Sequence, residues 1–208
     1  EAPDAKYIIV SNPVDIMTYV FTKISGLPEN QIMGSGTILD TARLRYGLSE
    51  HFQVAQGNIH AYVFGEHGDT SFIPWTGAYI SGLSTDEYYE EMKAHGKDVK
   101  PLDKEAMLEY VQKSGGKVIA KKGATFYAVS ATVCQLVGLI LAASDSLATV
   151  SSMLHGEYGI EDVCLSTLTL VGPNGTQGKV QMRMNKEEVA LLKKSADALK
   201  EVIAQIEL

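Results

Sequence analysis

Apolar and polar residues follow three successive rhythms along this 208-residue chain. Ile8, Ile9 and Val10 form an unbroken β-branched run, the pattern of a strand buried on both faces in a parallel sheet. Pro13 ends it. An apolar helical stretch runs from Val14 to Ile24 and stops at Gly26 and Pro28, after which "QIMGSGT" at 31–37 supplies a second short strand ahead of another helix. Strand, helix, strand, helix is the alternation of a doubly wound α/β sheet. From Asn58 onward the rhythm changes to apolar runs broken by tight glycine turns, "HAYVFGEHGD" and "SFIPWTGAYISGL", which predict antiparallel pairs. The shift near residue 40 marks a domain boundary, placing 1–38 in one unit and 39–208 in another.

The remaining segments read as helices and strands with little chemistry. "STDEYYEEMKAHGKDVKP" is a surface helix and loop whose charges form a solvated face. The next helix, "LDKEAMLEYVQKSGGKVIAKKG", is expected to break at Gly115 and Gly116. Gly123 to Ser144 carries no charge and has the length of a membrane span. Tyr127, Ser130, Thr132 and Gln135 dilute its hydrophobicity, which favours a helix buried in the core or at a subunit interface. Three short strands are expected in the segment punctuated by "HGEYG" and "GPNGTQG". At the end Asn185 caps a helix with Glu188 at its third position, and Val189, Leu192, Ala196, Leu199, Ile203 and Ile206 make one apolar stripe.

Composition narrows the class. A net charge of −7 without a clustered Lys/Arg stripe argues against nucleic-acid binding. Two cysteines, Cys134 and Cys164, both in apolar segments, fit a reduced cytoplasmic protein better than a disulfide scaffold. The opening residues contain neither a basic region nor an apolar targeting segment.

The chemistry concentrates at "GEHGDTS", Gly65–Ser71, where His67 sits in a glycine-flanked turn between β-rich runs. In "ILDTARLR" Asp40 and Arg43 are three apart and share a helix face, while Arg45 points about 200° around the axis. An ordinary i, i+3 ion pair explains Asp40 and Arg43 alone. With His67 added, Asp40 becomes a carboxylate that fixes the imidazole tautomer and favours imidazolium. Arg43 then stays free to clamp a substrate carboxylate with its two-pronged fork. Gly34 and Gly36 make only half of a dinucleotide fingerprint, since Leu39 replaces the third glycine. Their expected use is close backbone approach near a ligand. His67 and Asp69 have no second histidine at ligand spacing, so no metal is expected.

"VSNPVD", "GSGTILDTARLR", "GEHGDTS" and "KKGATFYAV", in this order, resemble the C-terminal part of L-lactate dehydrogenases, in the lactate/malate dehydrogenase superfamily. The resemblance covers nearly the whole chain. It implies the last strand–helix units of a Rossmann-type dinucleotide-binding domain over 1–38, then a substrate and oligomerisation domain of antiparallel strands and long helices over 39–208. By that resemblance His67 donates and accepts the proton, Asp40 orients it and Arg43 binds the substrate carboxylate. Asn12 bonds the reacting oxygen beside the nicotinamide of NAD, Thr125 lines the substrate pocket, and Val129 and Ser35 lie against the nicotinamide and its carboxamide. Arg45 and His60 match the positions at which bacterial members bind fructose 1,6-bisphosphate between subunits of a homotetramer. Pyruvate and lactate are the implied substrates.

The departures matter equally. The glycine-rich phosphate loop, the acidic ribose-binding residue and the substrate loop with its arginine are not in this chain, and Gly116 stands where members often carry a bulkier residue. The chain alone is therefore expected to bind NAD very weakly and to be inactive. Malate or another 2-hydroxy acid is an alternative substrate, and a non-catalytic oligomerising domain is an alternative role.

Overall fold

A computed structural model describes residues 2–207. The first two strands, β1 (Tyr7–Ile9) and β2 (Ile32–Gly34), pair in parallel across the crossover helix α1 (Val14–Ser25), which ends at Gly26 in the left-handed conformation. β2 then joins a long antiparallel hairpin, β6 (Ser146–His155) with β7 (Glu161–Gly172), and β8 (Gly175–Lys179) closes the five-stranded sheet β1-β2-β6-β7-β8. The sheet therefore runs without a break from the parallel unit into the antiparallel one. A smaller sheet holds β3 (Ile59–His60), β4 (Tyr79–Ile80) and β5 (Leu83–Ser84), all antiparallel. The remaining helices are α2 (Ile38–Phe52), α3 (Thr85–Ala94), α4 (Lys104–Lys122), α5 (Tyr127–Leu141) and α6 (Lys186–Ile203).

Two apolar clusters organise the packing. One joins Phe64, Phe72, Leu154, Val163 and Leu165 to Leu192, Ala196 and Leu199 on α6. The other packs Leu44, Leu48 and Phe52 of α2 against Val63, Ile73, Ile80 and Val111. α6 begins with the expected capping box: Asn185 accepts from the Glu188 amide and the Glu188 carboxylate accepts from the Asn185 amide.

Four expectations need correction. β1 is only half-buried, because it is the edge of the sheet among the described residues, with a single strand neighbour. α4 does not break at Gly115 and Gly116; Asp103 caps its start, α2 supports its flank, and the helix runs to a left-handed end at Gly123. Two glycines cost only about 1 kcal/mol each in a helix interior, which tertiary support overrides. The uncharged stretch gives a helix over 127–141 that buries only Thr132 and Leu136, leaving Tyr127 and Leu141 each 80% exposed. Only one face is a core face: Leu136, with Leu139 and Ile140, packs against Met33, Ala148 and Val150. No helix among the described residues is long and apolar enough to cross a membrane. Finally, the strands after Ser146 are three in number, but β6 and β7 are long, at 10 and 12 residues. They pair through nearly their full length, and Thr149, Ser151, Ser166, Thr167 and Thr169 are buried at their centre. Those buried hydroxyls are why no clean alternation announced strands of this length.

Candidate active site

The first turns of α2 present Asp40 and Arg43 on one face, and Arg43 Nη1 donates to Asp40 Oδ1 at 3.0 Å. The loop between Phe64 and Phe72 brings the imidazole to the other carboxylate oxygen: His67 Nδ1 lies 2.6 Å from Asp40 Oδ2. Asp40 is buried and bridges both side chains. This corrects the expectation that Arg43 is free. One of its N–H groups is committed to Asp40; the rest of its fork lies beside α4, where a Cβ on Gly115 would stand 3.8 Å from Nη1 and from Nη2.

The hydrogen bond to Asp40 raises the His67 pKa above 6.5, the value for free histidine; burial opposes the rise, and the charges of Asp40 and Asp15 add to it. With Nδ1 held by Asp40, Nε2 on the far side of the ring is the nitrogen left for proton exchange.

The loop that carries His67 is tied at each successive amide. Phe64 N donates to Phe72 O at 2.9 Å, Gly65 N to Ser166 O at 3.0 Å, Glu66 N to Ser195 Oγ at 2.7 Å and His67 N to Asp15 Oδ2 at 2.7 Å. Gly65 has φ +96°, and a Cβ there would be 2.7 Å from Ser195 Oγ. Both the conformation and the close approach of α6 demand glycine.

His67, Asp40, Arg43, Asn12, Ser35, Thr125 and Val129 all line one cavity of about 220 Å³ between this loop, α2, α4 and the start of α5. Val10 joins Val129 in supplying apolar wall. Arg45 and His60 lie elsewhere. Arg45 Nε donates to Ala61 O at 3.1 Å, and its guanidinium stacks 5.0 Å from the Tyr62 ring centre, beside a second cavity of about 190 Å³. His60 is exposed on β3 and does not line that cavity.

The glycines of "GSG" behave differently from expectation. A Cβ on Gly34 would meet the Thr18 hydroxyl and stand 3.0 Å from Ser151 Cβ, and one on Gly36, at φ +49°, would stand 2.6 Å from Ser151 N. Gly34 thus admits α1 and β6, and Gly36 admits β6 and β7 while also lining the cavity. Sequence reasoning also missed Asp15, Ser195 and Gln112, whose Nε2 donates to Ser71 O at 2.9 Å and ties α4 to the His67 loop. An acidic residue in the first turn of a helix is common, so Asp15 carried no signal of its own, and nothing local distinguished Ser195 or Gln112.

The sheet and cavity define an α/β chain with an imidazole–carboxylate site and an arginine beside it. This chain belongs to the lactate/malate dehydrogenase family: the profile of its alpha/beta C-terminal domain matches residues 37–207, and that of its NAD binding domain matches residues 1–34. It is 44% identical over 205 residues to the L-lactate dehydrogenase of Acetivibrio thermocellus and 44% identical over 204 residues to L-lactate dehydrogenase 1 of Clostridium acetobutylicum. Those alignments cover 99% and 98% of this chain, which spans 64% of the length of each relative. Among solved structures, the ligand-bound minor L-lactate dehydrogenase of Enterococcus mundtii superposes with a TM-score of 0.91 at 32% identity, covering 99% of this chain and 64% of that one.

Proposed function

We propose that this chain is the substrate-side part of an NAD-dependent L-lactate dehydrogenase that interconverts pyruvate and L-lactate. The observation that carries the reading is Asp40 bridging His67 and Arg43 at the cavity wall, with distances of 2.6 and 3.0 Å. Asp40 raises the proton affinity of His67 above its ordinary value, so its Nε2 protonates the carbonyl oxygen in the reducing direction and removes the hydroxyl proton in the other. Asp40 stabilises the imidazolium. Arg43 offers its uncommitted N–H groups to the substrate carboxylate, and Asn12 hydrogen-bonds the reacting oxygen. Thr125 completes the substrate side of the cavity.

The residues at the other end fit a nicotinamide. Val10 and Val129 give apolar surface for a flat ring, and Asn12 and Ser35 offer polar groups to a carboxamide. When bound, NAD supplies the hydride acceptor or donor. The division into a cofactor-side unit over 1–38 and a substrate-side unit over 39–208 follows from this reading.

The same reading makes Arg45 and His60 an effector site for fructose 1,6-bisphosphate. Arg45 touches a carbonyl and an aromatic ring rather than a carboxylate, which leaves its charge for an anion. One arginine and one exposed histidine are few for two phosphates, so the site draws on a second copy in a homotetramer.

The test is turnover. The chain joined to the N-terminal segment of the Acetivibrio thermocellus relative should oxidise NADH with pyruvate, and faster than with oxaloacetate. Preference for oxaloacetate would replace lactate by malate; no turnover with either would remove the reading. Fructose 1,6-bisphosphate should lower the pyruvate KM and favour the tetramer in sedimentation, and activation that survives Arg45→Ala with His60→Ala would refute the effector site.

A further inference from the structure

A third cavity, of about 180 Å³, lies between β6, β8 and the turn before β2, and it shares no lining residue with the one that holds His67. The half-buried Lys179 of β8 lines it. Its Nζ donates to Thr169 Oγ1 on β7 at 3.2 Å and to Ser152 O on β6 at 3.4 Å, and it contacts Ser152 Oγ. All three partners are neutral oxygens, although two glutamates line the same cavity. Each glutamate is engaged elsewhere: Glu29 Oε2 lies 2.6 Å from His155 Nε2, and Glu157 Oε2 accepts from the His155 amide at 2.7 Å.

A buried ammonium gains most from a carboxylate, and hydroxyls serve it poorly. The same oxygens suit a neutral amine. Thr169 Oγ1 spends its own proton on Thr167 O at 3.1 Å and accepts from Lys179, while Ser152 can donate as well as accept. Burial pushes the ammonium down to about 8 against the charges of Cys164 and Glu157. The Cys164 thiol, itself pushed up to about 12 by burial, is neutral there. Glu29, His155 and Glu157 are the other titratable groups on the wall. The side chains of His155 and Glu29 are 65% and 47% exposed, so the cavity opens to solvent at their end.

We propose that Lys179 is an acylation site that takes a short, uncharged acyl group from an acyl thioester. Nζ attacks the thioester carbonyl, the N–C amide bond forms as the C–S bond breaks, and the thiolate leaves with the proton that the amine sheds. The cavity selects the group by charge and size: Glu29 and Glu157 repel an acyl chain that ends in a carboxylate, and about 180 Å³ holds only a few carbons. The amide product keeps one N–H for Thr169 or Ser152, gains a carbonyl that accepts from the Ser152 hydroxyl, and leaves no charge to be buried. The site is independent of the dehydrogenase reading.

The probe is S-acetyl-N-acetylcysteamine, a small neutral thioester, incubated with the 208-residue chain and read lysine by lysine in the mass spectrometer. At pH 8 about half of the Lys179 amines are neutral, against fewer than about one in a hundred for an ordinary lysine. Lower basicity offsets part of that advantage, so Lys179 should acetylate about tenfold faster than the exposed Lys93 and Lys113. Its rate should level off above about pH 8 while theirs keep rising. Urea should abolish the preference. The corresponding succinyl thioester, which adds a carboxylate, should show none in the folded chain. Equal labelling of the three lysines by the acetyl probe, or a preference that survives unfolding, would overturn the proposal. Succinylation of Lys179 as fast as its acetylation would overturn the selection by charge.

Discussion

The two walls of the cavity are built by opposite means. On the sheet side, the amides of Phe64 through His67 all have named acceptors, and both oxygens of Asp40 are engaged. On the helix side, α4 buries only Val111, α5 only Thr132 and Leu136, and the turn between them leaves Phe126 61% exposed. Gly115 and Gly116 face the cavity from this softer wall. The proton transfer proposed for His67 demands a fixed geometry, which the first wall would supply. On the proposed reading, substrate shape falls to the second, where few apolar contacts resist local adjustment.

The contrast fails first at His67 if it is wrong. His67→Ala in the completed protein should lower kcat with pyruvate by about 10²–10⁴-fold, or about 3–5 kcal/mol, measured by NADH oxidation. Turnover near the parent's would mean that the rigid wall holds no proton donor. The next effect is on the fold. Gly65→Ala puts a side chain at φ +96° and within 2.7 Å of Ser195 Oγ, and urea denaturation should show a loss of about 2–4 kcal/mol. A smaller loss would show that α6 yields and that the wall is less rigid than its hydrogen bonds imply. Arg43→Lys keeps the charge but loses the fork, so the pyruvate KM should rise about tenfold or more with kcat less affected. An unchanged KM would leave Arg43 only its pair with Asp40.

The same contrast explains what was legible in the sequence. Asp40 and Arg43 are neighbours on one helix turn, and His67 is marked by its glycines, so local spacing exposed them. Asn12, Thr125 and Val129 became visible only through family resemblance, since nothing in their flanks signals a shared cavity. Asp15 and Ser195 lie 52 and 129 residues in sequence from the amides they accept. Contacts at that separation leave no periodic trace. The capping box at Asn185 and the parallel β1–β2 unit were readable because they are local. The exposure of α5 was not, because an apolar run says that a surface is to be covered without saying by what. The glycine pair in α4 was misread for a related reason: glycine weakens a helix locally, and packing on α2 decides the outcome.

That pair gives the finest test of the soft wall. Gly116 has no neighbour within 4 Å of where a Cβ would stand, so Gly116→Ala meets no steric obstacle and removes backbone freedom from the unfolded chain. Stability should rise by about 0.5–1 kcal/mol in urea denaturation. Since Gly116 lines the cavity, the same methyl should alter the relative KM of pyruvate and a bulkier 2-oxo acid while leaving the pH dependence of kcat unchanged, because His67 and Asp40 are untouched. A shifted pH profile would show that α4 reaches the proton-transfer group and that the two walls work as one.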